Sequence, residues 1–239
     1  MMKSHCLKCL IYYWDNGGFV MISFVDTNVP IAYIFSLDPL NHKSLTVFKE
    51  YDKIYWSKLV KNEYENVFKD KKRSLIMFYN DLANCLKEEN FHDFSLNDLR
   101  TYVMKNYSPS KRRKQILSSL EMFWDNYVDE RFPTYNFFVE AIHDCLDDLR
   151  ILTYSKKEKW EDNTSLTCDR VEEYMDLKNQ LKSLKVHYPD DDIVLDAHDF
   201  NLRNDFLLDF ITFDMVCYEG VSQVEEFQFN KIKGKYDYL

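Results

Sequence analysis

Glycine is scarce in this chain, four residues among 239, which leaves little material for loops that cradle phosphates. Neither G-x-x-x-x-G-K-[ST] nor G-x-G-x-x-G occurs, so P-loop and dinucleotide-binding readings fall away. Metal motifs built on nitrogen and sulfur are missing as well. The six histidines form no H-E-x-x-H, and His198 reads as a packed or exposed helix residue. Cys6 and Cys9 make a single C-x-x-C, without the second pair that a four-cysteine zinc site requires. The six cysteines read as reduced thiols. Nor is there an uninterrupted apolar run suited to a membrane. Gly17 to Leu37 has the length, but Asp26 sits at its centre, where a carboxylate costs ~2.5–3.5 kcal/mol on insertion scales. The run Cys9 to Trp14 is six residues, short of the ~7–15 of a signal peptide. A soluble, cytoplasmic chain without membrane contact is expected.

Aromatic and apolar residues are plentiful, 16% and 46% of the chain, and burial on that scale excludes disorder. The length suits one large domain or one domain carrying an insertion. Residues 21–26, Met-Ile-Ser-Phe-Val-Asp, form a nearly continuous apolar run ending in an acid, as a parallel strand covered on both faces should. Lys53–Ser57 and Leu208–Phe213 are further strand candidates, the second followed by Asp214. Helical spacing runs through 58–69, 73–89, 95–107, 110–128, 133–153, 169–184 and 191–203. Ser95-x-x-Asp98 is a near capping box, and the charged stretch 155–167 reads as a loop. The expected class is α/β: a three-layer α/β/α domain with a mostly parallel sheet, built from 21–70 and 185–220. A large all-helical insertion occupies 71–184, with an extension at 1–20 and a tail at 221–239.

Four acids hold related places in this outline. Asp26 and Asp214 end strands, and ligands of parallel sheets bind outside the carboxyl ends of the strands. An acid closing a buried strand is costly unless paired, hydrogen-bonded or bound to a cation. Glu63 lies about one turn into the helix after the second strand. Asp192 opens a helix behind Pro189, where Asp190, Asp191 and Asp192 also suit the positive end of the helix dipole.

These segments resemble the PIN-domain ribonucleases. Phe24-Val25-Asp26-Thr27-Asn28-Val29 is similar to the opening motif of that family, a strand ending in Asp-Thr/Ser-Asn. Ser57-Lys58-Leu59-Val60-Lys61-Asn62-Glu63 resembles its Val-x-x-Glu helix. Asp192-Ile193-Val194-Leu195-Asp196-Ala197 resembles the third motif, an Asp before an apolar helix, and Phe210-Ile211-Thr212-Phe213-Asp214 the fourth, a strand with Thr-x-Asp. The four arrive in family order over residues 21–70 and about 185–216. Asp196 stands where small residues are usual, Met215 follows Asp214 where another acid is common, and three successive aspartates leave the register of the third acid open. The resemblance implies a PIN-like fold with Asp26, Glu63, Asp192 and Asp214 as catalytic residues binding one or two Mg²⁺ or Mn²⁺ ions. Thr27, Asn28, Asp196 and Thr212 would orient those carboxylates by hydrogen bonds. Hard divalent cations take oxygen ligands, and packed carboxylates repel unless a cation neutralises them.

The implied activity is metal-dependent endoribonuclease cleavage, with water attacking phosphorus. The alternatives are a catalytically weak or inactive RNA-binding scaffold, and a toxin held by an antitoxin; a homodimer fits either. A formal charge of −9 is unusual for a protein that engages RNA, although the acids of the site account for part of it. Lys69, Lys71, Lys72 and Arg73 form a basic cluster, and such patches engage phosphates even on an acidic protein. Lys111 to Lys114 read as a solvated helix end, and Tyr107, Trp124 and Tyr127 as core.

Overall fold

The computed structural model describes residues 14–15, 18–88, 95–128, 134–204 and 206–238; Cys6 and Cys9 lie outside them. Near the start, β1 (Trp14–Asp15) pairs antiparallel with β2 (Gly18–Phe19). There follow β3 (Ile22–Val25), α1 (Asn28–Ile34), α2 (Asn41–Glu50), β4 (Lys53–Trp56) and a long α3 (Lys58–Glu88). Next come α4 (Leu96–Asn106), α5 (Lys111–Phe123), a π-helical turn at Trp124–Val128, α6 (Tyr135–Arg150) and α7 (Leu152–Asn163). The chain ends with β5 (Thr164–Leu166), α8 (Met175–Ser183), α9 (Asp190–Asn204), β6 (Leu208–Ile211), α10 (Met215–Val221) and β7 (Lys231–Lys233). No helix among the described residues is long and apolar enough to cross a membrane.

Five strands make one sheet in the order β5-β4-β3-β6-β7, and every neighbouring pair is parallel. The class is therefore α/β, compatible with three α/β/α layers. From β3 the chain steps outward to β4 and β5, then returns to place β6 on the other side of β3. That reversal is a topological switch point, where a crevice opens outside the carboxyl ends of the strands. Every residue of β3 and β6 is buried, so the sheet centre is covered on both faces and the strands read as near-continuous apolar runs. Asp209, inside β6, is a buried acid that needs compensation. It accepts hydrogen bonds of 2.7 Å from the Tyr51 hydroxyl and the Asn230 amide, with Lys233 Nζ at 3.7 Å. This buried network holds β7 to the sheet edge.

The chain divides into two compact units. The first contains residues 1–30, 43–64 and 160–239, with the sheet; the second contains 31–42 and 65–159 and is all-helical among its described residues. Within the second, Leu75, Phe78 and Tyr79 of α3, Ile116, Leu120 and Phe123 of α5, and Phe138, Ile142 and Leu146 of α6 are buried. Ser95 caps α4 through the expected capping box with Asp98. Ser110 caps α5.

Several elements differ from the sequence reading. The expected helices 58–69 and 73–89 are one, because Lys71 and Lys72 between them are good helix formers and the buried stripe continues through Phe68 to Leu75. The expected loop at 155–167 is mostly α7 followed by β5. Its charges obscured the period, while fully buried Trp160 packs 6.2 Å from Trp56 within the sheet unit. The expected helix 169–184 starts later, at Met175. Thus β5 and α8, within the expected 71–184 insertion, belong to the sheet unit, and β7 lies in the expected tail.

Candidate functional site

Asp26 follows the last residue of β3, and its backbone N–H donates to Ile211 O of β6 at 3.0 Å. The side chain is 2% exposed. Its carboxylate accepts from the Thr27 N–H, from Asn28 Nδ2 at 2.7 Å and from the Thr212 hydroxyl at 2.7 Å. Asn28 reaches across the switch point, its Oδ1 accepting from Phe213 N–H at 2.9 Å. Thr212 Oγ1 also accepts from Asp214 N–H at 3.1 Å. Thr27 donates from its hydroxyl to Glu63 Oε2 at 2.7 Å. Thr27, Asn28 and Thr212 therefore tie the ends of β3 and β6 to the first turns of α3 and aim Asp26 and Glu63. Asp214 is exposed and caps α10, one carboxylate oxygen accepting from Val216 and Cys217 N–H.

The third acid is where structure and sequence reading part. Asp192 faces away from this group: Lys178 Nζ contacts its two oxygens at 2.7 and 2.8 Å, and Arg170 donates to it at 2.9 Å. Burial pushes the Asp192 carboxyl up, but the hydrogen bonds from Lys178 and Arg170 outweigh it and hold the group below its ordinary range. Asp196, four residues on, shares that helix face and lies 3.5 Å from Arg170. Burial nonetheless pushes its carboxyl up. Asp192 and Asp196 line a separate cleft of about 300 Å³ with Ser57, Asn62 and Arg170. Asp196 thus supports Arg170; it makes no hydrogen bond to Asp26, Glu63 or Asp214 among the described residues.

Asp190 takes the place expected of Asp192. Two residues along a helix is a rotation of about 200°, so the two aspartates point in opposite directions. Burial, then the charges of Asp26, Asp214 and Glu63, push the Asp190 carboxyl up to about 7. Burial likewise raises Asp26 to about 6, against its own hydrogen bonds and with Glu63 and Asp214 adding to the rise. Asp191 between them is fully buried, with Oδ2 lacking a hydrogen-bond partner among the described residues. The thiol of Cys217 reports the same field: burial raises it, and Asp26, Asp190 and Asp214 raise it further. The largest charge effects on Asp26 and Asp190 all come from other acids.

The signal that could have found Asp190 was already in the aspartate run. An extra acid at Asp196 sits one helical turn after Asp192, and an acidic pair on one face calls for a basic partner, here Arg170. His198 is buried between the rings of Tyr174 and Phe227 at 5.1 and 5.2 Å, a packed residue rather than a ligand.

Among the described residues no group of three His, Cys, Asp or Glu side chains is gathered so as to hold a metal ion. Mg²⁺ does not require such a cage. It is usually held by one or two carboxylates, with its other positions kept by water and substrate phosphate. An all-oxygen set of four acids, two of them pushed up toward neutrality by burial and by one another's charge, suits a hard divalent cation. Compared with family models, curated proteins and solved structures, the chain gives no match.

Proposed function

We propose that the sheet unit is a PIN-like, metal-dependent endoribonuclease that hydrolyses RNA phosphodiesters at Asp26, Glu63, Asp190 and Asp214. The observation that carries this reading is a buried aspartate at the switch point of a parallel sheet, sharing the field of three other acids. Asp190 replaces Asp192 in the proposed ligand set. Asp26 and Glu63 are held by Thr27, Asn28 and Thr212, so their oxygens keep fixed directions without relying on a ligand. Asp190 and Asp214 are partly solvated and can turn toward an ion or its waters. A bound Mg²⁺ or Mn²⁺ supplies Lewis acidity toward water and phosphate oxygen, and offsets the acids' charge so that an RNA phosphate can approach. Asp190, partly solvated, can accept the proton that an attacking water gives up.

A labelled single-stranded RNA incubated with the full chain should be cut when Mg²⁺ or Mn²⁺ is added, and left intact in EDTA. Asp26→Asn should abolish cutting while the protein stays folded. Intact RNA with the wild-type chain across both metals would refute the reading. RNA binding without cutting would favour the scaffold alternative, which the use of an Asp214 oxygen as a helix cap also favours.

A further inference from the structure

The helical unit carries a feature that hydrolysis at the acids does not use. A cavity of about 320 Å³ is lined by Phe68, Lys69, Lys72, Arg73, Ile76 and Met77 of α3, together with Tyr154 of α7. Three of these residues are cations and none is an acid, in a chain where acids outnumber bases 40 to 31. Lys69 and Arg73 stand four residues apart, so they share a helix face. Both are exposed, and neither makes an ion pair or a hydrogen bond among the described residues. Lys71, from the same basic run, is different: it is committed to an ion pair with Asp38.

Lys72 is nearly buried. Its Nζ donates to Arg150 O at 3.2 Å and lies 3.3 Å from the centre of the Tyr154 ring. Burial lowers its pKa, as expected of an amine held against apolar rings. Tyr154 meets Phe68 edge-on at 5.7 Å yet stays 57% exposed, and Met77 is 41% exposed. An oriented aromatic ring kept in water beside uncommitted cations matches a ligand that is flat and apolar on one side and anionic on the other. A nucleotide has that form. Duplexes hide their base faces, whereas single strands offer them for stacking on aromatic side chains, with the backbone tracked by basic residues. An acidic peptide would satisfy the cations but leave the exposed ring without a use.

We infer that this cavity is a platform for single-stranded nucleic acid, with a base stacked over Tyr154 and Met77 and backbone phosphates on Lys69 and Arg73. The inference is independent of the acids in the sheet unit and would stand if they do not catalyse.

The test is fluorescence anisotropy of labelled ten-nucleotide oligo(U) and oligo(dT) with the full chain in EDTA, where no cutting is expected. Lys69→Glu with Arg73→Glu should weaken binding at least tenfold. It should also lower the slope of log Kd against log salt by about 1.4, since each phosphate contact to a single strand contributes about 0.7. Tyr154→Ala should weaken binding by about 5- to 150-fold, the range for one stacked base, and Tyr154→Phe should bind as the wild type does. Binding of both oligonucleotides, or of the RNA alone, supports the platform and tells whether the 2′-hydroxyl is read. Unchanged affinity and salt slope in folded variants would overturn the inference. So would displacement by poly-glutamate together with an indifferent Tyr154→Ala, which would point to a protein partner. Normal binding by these variants with metal-dependent cutting intact would refute the platform alone; loss of binding in the variants with no cutting by the wild type would refute hydrolysis alone.

Discussion

Asparagine at position 190 and asparagine at position 192 should have opposite effects, although the two residues are neighbours but one. Asp192→Asn removes the partner of two cations whose side chains are 13% and 18% exposed. Breaking a fully buried ion pair costs about 3–5 kcal/mol. Arg170 keeps Asp196 at 3.5 Å and the site is partly solvated, so about 2 kcal/mol is the expected loss. In a chain of this length that lowers Tm by roughly 4–8 °C. Asp190→Asn instead removes one of four mutually repelling acids. Solvent screening limits that gain to under about 1 kcal/mol, so Tm in EDTA should hold or rise slightly. Metal inverts the comparison. At a Mn²⁺ concentration a hundred times Kd, binding stabilises the folded state by about 2.7 kcal/mol, and wild type and Asp192→Asn should both gain that increment. Asp190→Asn should lose most of it. The assay is thermal unfolding by circular dichroism in EDTA and in MnCl₂. If Asp192→Asn lost the metal response while Asp190→Asn kept it, the assignment made from helix geometry would be refuted.

Three further outcomes are expected. With a folded-state pKa raised from 3.8 to about 6, Asp26 contributes stability that is complete below pH 3.8 and lost as pH rises through about 6; urea titrations in EDTA should show this loss, worth up to about 3 kcal/mol, in the wild type but not in Asp26→Asn, and equal pH slopes would contradict it. Lys185 has φ 68° at the C-terminal end of α8, where its N–H donates to Lys182 O and that of Val186 to Leu181 O, a pairing that usually ends in glycine; Lys185→Gly should stabilise the chain by about 1 kcal/mol, read as a higher urea midpoint, and a lower midpoint would count against it. A Cβ at Gly220 would come within 2.3 Å of Val186 Cγ2, and valine is stiff at χ1, so Gly220→Ala should lose about 1–3 kcal/mol despite better helix propensity; the double variant with Val186→Ala should recover part of it, and simple additivity would contradict the contact.

Much of the sheet could be read before any coordinates. β3 and β6 are buried on both faces, and that leaves an apolar run with an acid after it, a pattern short enough to survive in sequence. Asp26 and Asp214 were legible for the same reason, since a carboxylate closing such a run needs an explanation. β5 and β7 are three-residue strands with mostly solvated side chains, so neither alternation nor apolar content marks them. The third acid was hidden by a degeneracy. Three successive aspartates satisfy a helix N-terminus equally well, and the choice among them is made by Arg170 and Lys178, which come from the separate 167–184 segment. Nothing local to residues 190–192 encodes those partners. Of the cavity in the helical unit, the basic run at Lys69, Lys72 and Arg73 was legible and the aromatic side was not, because Tyr154 borders a charged stretch whose period is weak.

The hydrogen bond from Thr212 to Asp26 spans 186 residues, and its length along the chain sets a clock for biosynthesis. At roughly 5–20 residues per second, about 10–40 s of translation separate the emergence of one strand from that of its neighbour. Throughout that interval a ribosome-bound chain has β3 without β6 and Asp26 without the hydroxyl that orients it. Any chemistry that depends on an oriented Asp26 can therefore arise only after both halves of the crevice have been made.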